Sequence, residues 1–436
     1  MIRTLLLSGA FLASVSSIAI AAPKNIILLI GDGMGEAEIA LTRAYESDGK
    51  AGLYVDTMKS RGSVIVNQLM VEDPTKIQFV GESASGGTTI STGQRTSDGR
   101  VAVSAFDGSP IKTIMEQAIE HGYKTGLVTT SAITDATPAT FAAHAQNRYC
   151  WKTGDEACST HNDRPIVEQM LDLNVDVMLG GGQELLPAMA GGGGTVEQKA
   201  EGLGYKVIQS REALLDLKSG TKVFGVFGAH HMPVEWQGPN GVSADIVQID
   251  QSRTVIFPDA VSCEANPAHE GIMPRLEEMA QYALDSLGSD EGEGFFLMIE
   301  GASIDKQTHI AKPCGTIGEM LAFDRTVEIA VNYAKKMGNT VVIVTADHGQ
   351  ATQVIYKPEA YTGTLRRDHI PGLYQLLRTK GGNELGAYYG TNNINDQAHT
   401  GINVPVYSYG LDNPEDLMGV IQQTEIYTVM AKYLFE

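Results

Sequence analysis

Cationic charge is scarce in this chain: 32 Lys and Arg stand against 52 Asp and Glu in 436 residues, a formal charge of −20. A surplus of that size repels phosphate backbones and anionic lipid surfaces, so nucleic acid or a charged membrane is excluded as the main partner. Anionic substrates would be repelled as well, unless metal ions or a local Arg and Lys reverse the sign where they bind. Cysteine is also sparse. Cys150, Cys158, Cys263 and Cys314 include no CxxC pair, which argues for structural disulfides and against zinc–thiolate chemistry. Proximity pairs Cys150 with Cys158 and leaves Cys263 for Cys314, each bridge stabilising by roughly 2–4 kcal/mol. No internal repeat is evident and no GxGxxG turn occurs.

Long apolar runs are lacking too, apart from the start. Arg3 precedes LLLSGAFLASVSSIAIA, and Ala19-Ile20-Ala21 fits the small-x-small cleavage rule, so residues 1–21 read as a signal peptide. The next run, NIILLI, is too short to span a bilayer. The expectation is a periplasmic or secreted protein with no membrane contact once the signal is removed, and with residues 22–436 as one large α/β domain with insertions or as two domains.

What is present is a repeated pattern of apolar strands that stop at an acid. FFLMIEGASIDKQTH runs from Phe295 to Glu300, and then places Asp305 and His309 four apart on one helical face, a spacing suited to one metal ion. NIILLIGDGMG ends at Asp32, and NTVVIVTADHGQ ends at Asp347 and His348. TGLVTT is followed after a short gap by Asp135 and Thr137, hard oxygen donors that could equally cap a helix. Arg148 then falls about three turns along the helix expected to start near Pro138, where it could clamp an anion or lie on the surface. In an open, mostly parallel sheet all such strand ends share one edge, and so many acids there would be untenable without cations. The nitrogen-containing sets (Asp305, His309, His399; Asp347, His348) suit zinc, and the oxygen-only set (Thr137, Glu300) suits magnesium.

GESASGGTTISTG, Gly81 to Gly93, places Ser83 at the head of an expected helix. There its hydroxyl is either a nucleophile, beside exposed N–H groups that favour an anion, or simply an N-cap. Ser85 is a second candidate. The pair His230-His231 reads as structural, and the polar, Gly-rich stretch 351–398 as a crown or lid that delivers His399.

DGMGE, ESAS…TTISTG, TDATPATFAAH…R, EGASIDKQTH, TADHG and AHTG follow one another in the order seen in the bacterial alkaline phosphatases, which this chain resembles from about Asn25 to its C-terminus. The cysteines are similar to that family's disulfide pattern. The resemblance implies a large central sheet between helices in three layers with a crown-like insertion, a homodimer, and two Zn2+ and one Mg2+ per active site. It also implies hydrolysis of small phosphate monoesters at alkaline pH through a phosphoserine. By the same resemblance Ser83 is the nucleophile. One zinc sits on Asp305, His309 and His399, the other on Asp32, Asp347 and His348. Magnesium sits on Asp32, Thr137 and Glu300, with Asp135 acting through water. Arg148 grips phosphate oxygens and Lys306 reaches phosphate through water.

Glu82 departs from the Asp usual before the nucleophile. Its extra methylene is expected to loosen or redirect Arg148, with faster phosphate release. A sister zinc phosphodiesterase or phosphonate hydrolase shares the ligand pattern, but Lys306 beside Asp305 with Arg148 nearby favours a dianionic monoester. A sulfatase would need a CxPxR-type context, which does not occur. A non-catalytic metal or phosphate scavenger would need the ligands but not Ser83.

Overall fold

The computed structural model describes residues 24–246, 248–249, 255–256, 258–288, 292–355 and 372–436. The expected signal peptide, 1–21, lies outside the described residues, as do 356–371 of the region read as a crown.

The apolar runs become the middle of one sheet because both of its faces are covered, so nearly every side chain along them must be apolar. Its strands are β1 (Lys24–Gly31), β2 (Ser60–Ile65), β3 (Lys124–Ala132), β4 (Val177–Gly181), β5 (Lys206–Ile208), β6 (Val223–Val226), β7 (Gly294–Gly301), β8 (Thr340–Thr345), β9 (Val404–Tyr409) and β10 (Gly419–Gln422). The spatial order is β10-β2-β9-β8-β1-β7-β3-β4-β6-β5. Every pairing is parallel except those of β9 with β8 and with β2. Ile26 to Ile30 of β1 and Phe295 to Ile299 of β7 are wholly buried at the centre.

Six helices matter for the site: α1 (Glu36–Ser47), α2 (Ser83–Thr92), α3 (Ala136–Ala142), α4 (Ser303–His309), α5 (Pro313–Met337) and α6 (Thr424–Phe435). They fall into two groups, α1 and α4 packed around α5, and α3 and α6 packed around α2, giving the three-layer α/β arrangement. Gly338 closes α5 at a positive φ of 75°, as its position after the last periodic residue predicts. Among the described residues no helix is long and apolar enough to cross a membrane.

Two strands escaped the sequence reading. β2 and β10 are half-exposed, with no continuous apolar run to mark them. β10 is an edge strand parallel to β2, and the chain becomes helix only at Thr424. Parts of the stretch read as a crown form a small antiparallel sheet. Its order is Asp245–Ile246, Leu373–Arg378, Glu384–Tyr389, Thr352–Ile355. Leu373, Leu377 and Tyr389 of this sheet pack on Ala311, Cys314 and Ile317 at the start of α5.

Disulfides join Cys150 to Cys158 and Cys263 to Cys314, closing loops of 8 and 51 residues. Loop-closure entropy makes the longer loop the more stabilising, by about 4 against about 2.5 kcal/mol. Replacing Cys263 and Cys314 with Ala should therefore lower the denaturation midpoint more than replacing Cys150 and Cys158. Equal shifts in thermal unfolding would contradict this.

Candidate metal centre and active site

Strand register brings the acids to one level. Ile30 of β1 pairs with Glu300 of β7 and with Thr345 of β8, and Glu300 pairs in turn with Thr129 of β3. Asp32 and Asp347 each follow two residues on, so the carboxylates converge along the carboxyl edge. The turn after β1 is possible because Gly33 takes a φ of +65°, and a Cβ there would lie 2.7 Å from Gln350 and 3.1 Å from Asp305.

Two clusters result. Donor atoms of Asp305, His309 and His399 lie within 4.8 Å of one another, and so do those of Asp32, Asp347 and His348. In the first, His309 Nδ1 faces the Gln397 carbonyl at 2.5 Å and His399 Nδ1 faces the Gly81 carbonyl at 3.1 Å. A carbonyl can only accept, so both rings carry their proton on Nδ1 and turn a bare Nε2 inward. Those two Nε2 atoms are 2.9 Å apart, and each is 3.4 Å from Asp305 Oδ1. Three lone-pair donors in such a triangle repel unless a cation sits among them.

The second cluster is buried completely. His348 Nε2 is 3.2 Å from Asp32 Oδ1 and 3.6 Å from Asp347 Oδ2. Asp347 Oδ1 accepts the Gly33 and His348 N–H groups, but its buried Oδ2 has no hydrogen-bond partner among the described residues. Burial first, and then Asp305 and Asp347, push the Asp32 carboxyl up to about 7. Burial and then Asp32 push Glu300 to about 8, although Thr129 Oγ1 donates to it at 2.5 Å. Thr137 Oγ1 is likewise buried and unpartnered. Orphaned oxygens and carboxyls on the verge of protonation are what a cation site looks like from its protein side, so these residues fit the implied ions.

Ser83 is the first residue of α2, and Glu82 is its N-cap. The hydroxyl of Ser83 is therefore free of capping duty and lies 3.2 Å from His348 Nε2 and 3.5 Å from Asp32 Oδ1. Ser85, by contrast, is fully engaged: its hydroxyl donates to Gln68 Oε1 and its oxygen accepts the Glu82 N–H. One expectation is corrected here. The N–H groups of Ala84 and Ser85 are not open to an anion, because the Glu82 carboxylate accepts them at 2.8 and 2.7 Å.

A second correction concerns Arg148. It does not ride a helix, since α3 ends at Ala142 and the chain is then drawn out by paired bonds between Val101 and Ala145. The Arg148 N–H continues that contact to the Gly99 carbonyl. Nor is its guanidinium loosened by the longer acid, because Glu82 Oε2 reaches Nη1 at 2.7 Å. Nη2 is 3.2 Å from Asp135 Oδ1, and Lys306 Nζ is 2.7 Å from Asp135 Oδ2. Burial alone would raise Asp135, but Lys306 and then Arg148 hold it well below the usual carboxylate range.

A cavity of about 600 Å³ opens over these groups, lined by Ser83, Arg148, Lys306, Asp305, His309 and His399 among others. The chain matches the family profile described as alkaline phosphatase over residues 23–395. It belongs to the alkaline phosphatase family. The alkaline phosphatase of Escherichia coli (strain K12) is 35% identical to it, across 94% of this chain and 86% of that one. The streptomycin-6-phosphate phosphatase of Streptomyces griseus is 37% identical, across 94% and 90%. The fold is also that of the alkaline phosphatase from the Antarctic bacterium TAB5, with a TM-score of 0.68 at 24% identity and coverage of 95% and 98%. Membership makes this chain a phosphoric monoester hydrolase of a metal-dependent family, and the two donor clusters are its candidate metal sites.

Several residues of this alkaline phosphatase carried no sequence signal. Gln350 Nε2 donates to Asp305 Oδ1 at 2.5 Å and so orients that carboxylate. Thr129 and Ser131 support Glu300. His230 and His231, read as structural, line the cavity with Tyr149 and Trp151.

The clamp yields a stability test. Arg148→Ala would leave Glu82 and Asp135 largely buried without the guanidinium, a loss of about 3 kcal/mol. Adding Glu82→Gln should recover part of that loss in urea unfolding. No loss in the single variant would mean that the pairing is dispensable.

Proposed function

We propose that this phosphatase hydrolyses small phosphate monoesters at alkaline pH through a phosphoserine on Ser83. The single observation that carries the proposal is the placement of the Ser83 hydroxyl, uncapped, against His348 and Asp32 on the floor of the cavity that Arg148 and Lys306 line. Asp305, His309 and His399 would hold one zinc ion, and Asp32, Asp347 and His348 the other. Asp32, Thr137 and Glu300 would hold magnesium, with Asp135 beside them. When bound, these ions supply Lewis-acid polarisation of phosphate oxygens and a lowered pKa for the attacking hydroxyl or water.

The chain's own residues do the rest. Arg148, braced from behind by Glu82 and Asp135, keeps further Nη hydrogens to donate to two phosphate oxygens. Lys306 adds positive charge that a dianionic monoester needs in a chain otherwise strongly acidic. In the first step Ser83 Oγ bonds to phosphorus as the ester oxygen leaves with the alcohol. In the second, water bonds to phosphorus as the Ser83 Oγ–P bond breaks, releasing inorganic phosphate and restoring the hydroxyl.

The proposal extends to the setting: a single domain over 22–436, delivered by the signal peptide to the periplasm or outside, free of membrane, and working as a homodimer. The disulfides support an oxidising compartment. Exposed Val71, Ile77 and Phe79, close together in sequence, offer apolar surface to a second copy.

The test is hydrolysis of p-nitrophenyl phosphate beside bis-p-nitrophenyl phosphate at alkaline pH, before and after EDTA and with zinc and magnesium restored. Metal-dependent turnover of the monoester is expected, with Ser83→Ala lowering kcat by at least about 100-fold. Preference for the diester would move the enzyme to a sister activity. Metal binding with no turnover would leave a scavenger.

A further inference from the structure

The phosphate itself is small beside a cavity volume of about 600 Å³. The remaining wall is unlike the floor. It is built from rings that touch in series. The Tyr149 and Trp151 centroids lie 5.7 Å apart at 78°, Trp151 and His230 lie 4.9 Å apart, and His230 and His231 lie 4.2 Å apart. The ridge begins at the phosphate clamp, since the Arg148 guanidinium carbon is 5.8 Å from the Tyr149 ring centre. All four rings line the same cavity as Ser83.

The wall is also rigid. Cys150, between Tyr149 and Trp151, is tied to Cys158, and the Trp151 backbone N–H donates to Asp155 Oδ2 at 3.0 Å. On the far side Gly181 lets the His230 backbone come close, for a Cβ there would be 2.1 Å from the His230 carbonyl. His231 Nδ1 accepts the Ala132 N–H at 3.1 Å, which fixes its proton on Nε2. Yet Tyr149 is 57% exposed, a large ring held at the mouth of an active site with nothing covering it.

Resting on the phosphatase reading, we infer that the Tyr149–Trp151–His230 ridge is a subsite for the alcohol side of the ester, and that it selects monoesters bearing a planar unsaturated ring such as a nucleobase. The chemistry is general. An immobile aromatic platform loses little entropy on binding, stacks on any flat π surface, and discriminates against aliphatic alcohols that offer no such face. The ring-lined wall beside a strongly charged floor orients the substrate, with phosphate toward Arg148 and ring toward Trp151. Ring stacking of this kind sets substrate preference without touching the reacting atoms, so these are specificity residues and not catalytic ones.

The experiment compares kcat/KM for adenosine 5′-monophosphate and glycerol 2-phosphate in the zinc- and magnesium-loaded enzyme and in Trp151→Ala, Trp151→Phe and Tyr149→Ala. Trp151→Ala should reduce the ratio of the two constants about tenfold, and Trp151→Phe, which keeps a ring, should restore most of it. Tyr149→Ala, at a position 57% exposed, should reduce the ratio in the same direction. A ratio equal in all four proteins would overturn the subsite and leave the phosphatase standing. Failure of the unaltered enzyme to hydrolyse either ester would instead overturn the phosphatase reading on which the subsite rests.

Discussion

Mutual repulsion at the carboxyl edge of the central sheet is the constraint on which the remaining architecture turns. Parallel strands in register carry their last residues to the same height, so Asp32, Glu300 and Asp347 are brought together by the hydrogen bonding of β1, β7 and β8. Among the described residues, Asp347 Oδ2 and Thr137 Oγ1 are buried without hydrogen-bond partners, and two imidazole Nε2 atoms face each other at 2.9 Å. A site this unfavourable is carried by the stability of the buried sheet beneath it, and cations would relieve it.

A second charge chain runs beside the first and keeps it from collapsing. Glu82, Arg148, Asp135 and Lys306 alternate in sign, each within hydrogen-bond reach of the next. Glu82 ties this chain to Ser83, because the carboxylate that holds Arg148 also accepts the first N–H groups of α2. Helix start, Arg148 guanidinium and Ser83 are therefore positioned by a single side chain. The longer acid fits because it can reach the helix N-terminus and the guanidinium together.

The parts of the site that were legible in sequence are those whose signal is local. An apolar strand cut off by an acid announced Asp32, Glu300 and Asp347, and a spacing of four announced Asp305 and His309. What was not legible depends on contacts across long separations. Arg148 leaves its helix because Val101 pairs with Ala145, and no local pattern encodes that bridge. β2 and β10 are half-exposed strands without an apolar run. His230-His231 looked structural because only the close approach to Gly181 carries it to the cavity. Gln350, an ordinary polar residue in sequence, acts on Asp305 through a fold-dependent contact.

The most direct measurement is thermal unfolding of the purified protein at pH 8, as isolated, after exhaustive EDTA treatment, and after zinc and magnesium are returned, with bound metal quantified in each sample. If the edge acids depend on cations, stripping should lower Tm by several degrees, and restoration should recover it as the metal content returns. A stripped protein with the same Tm as the loaded one would contradict the account, because the carboxylates would then be compensated by the polypeptide alone.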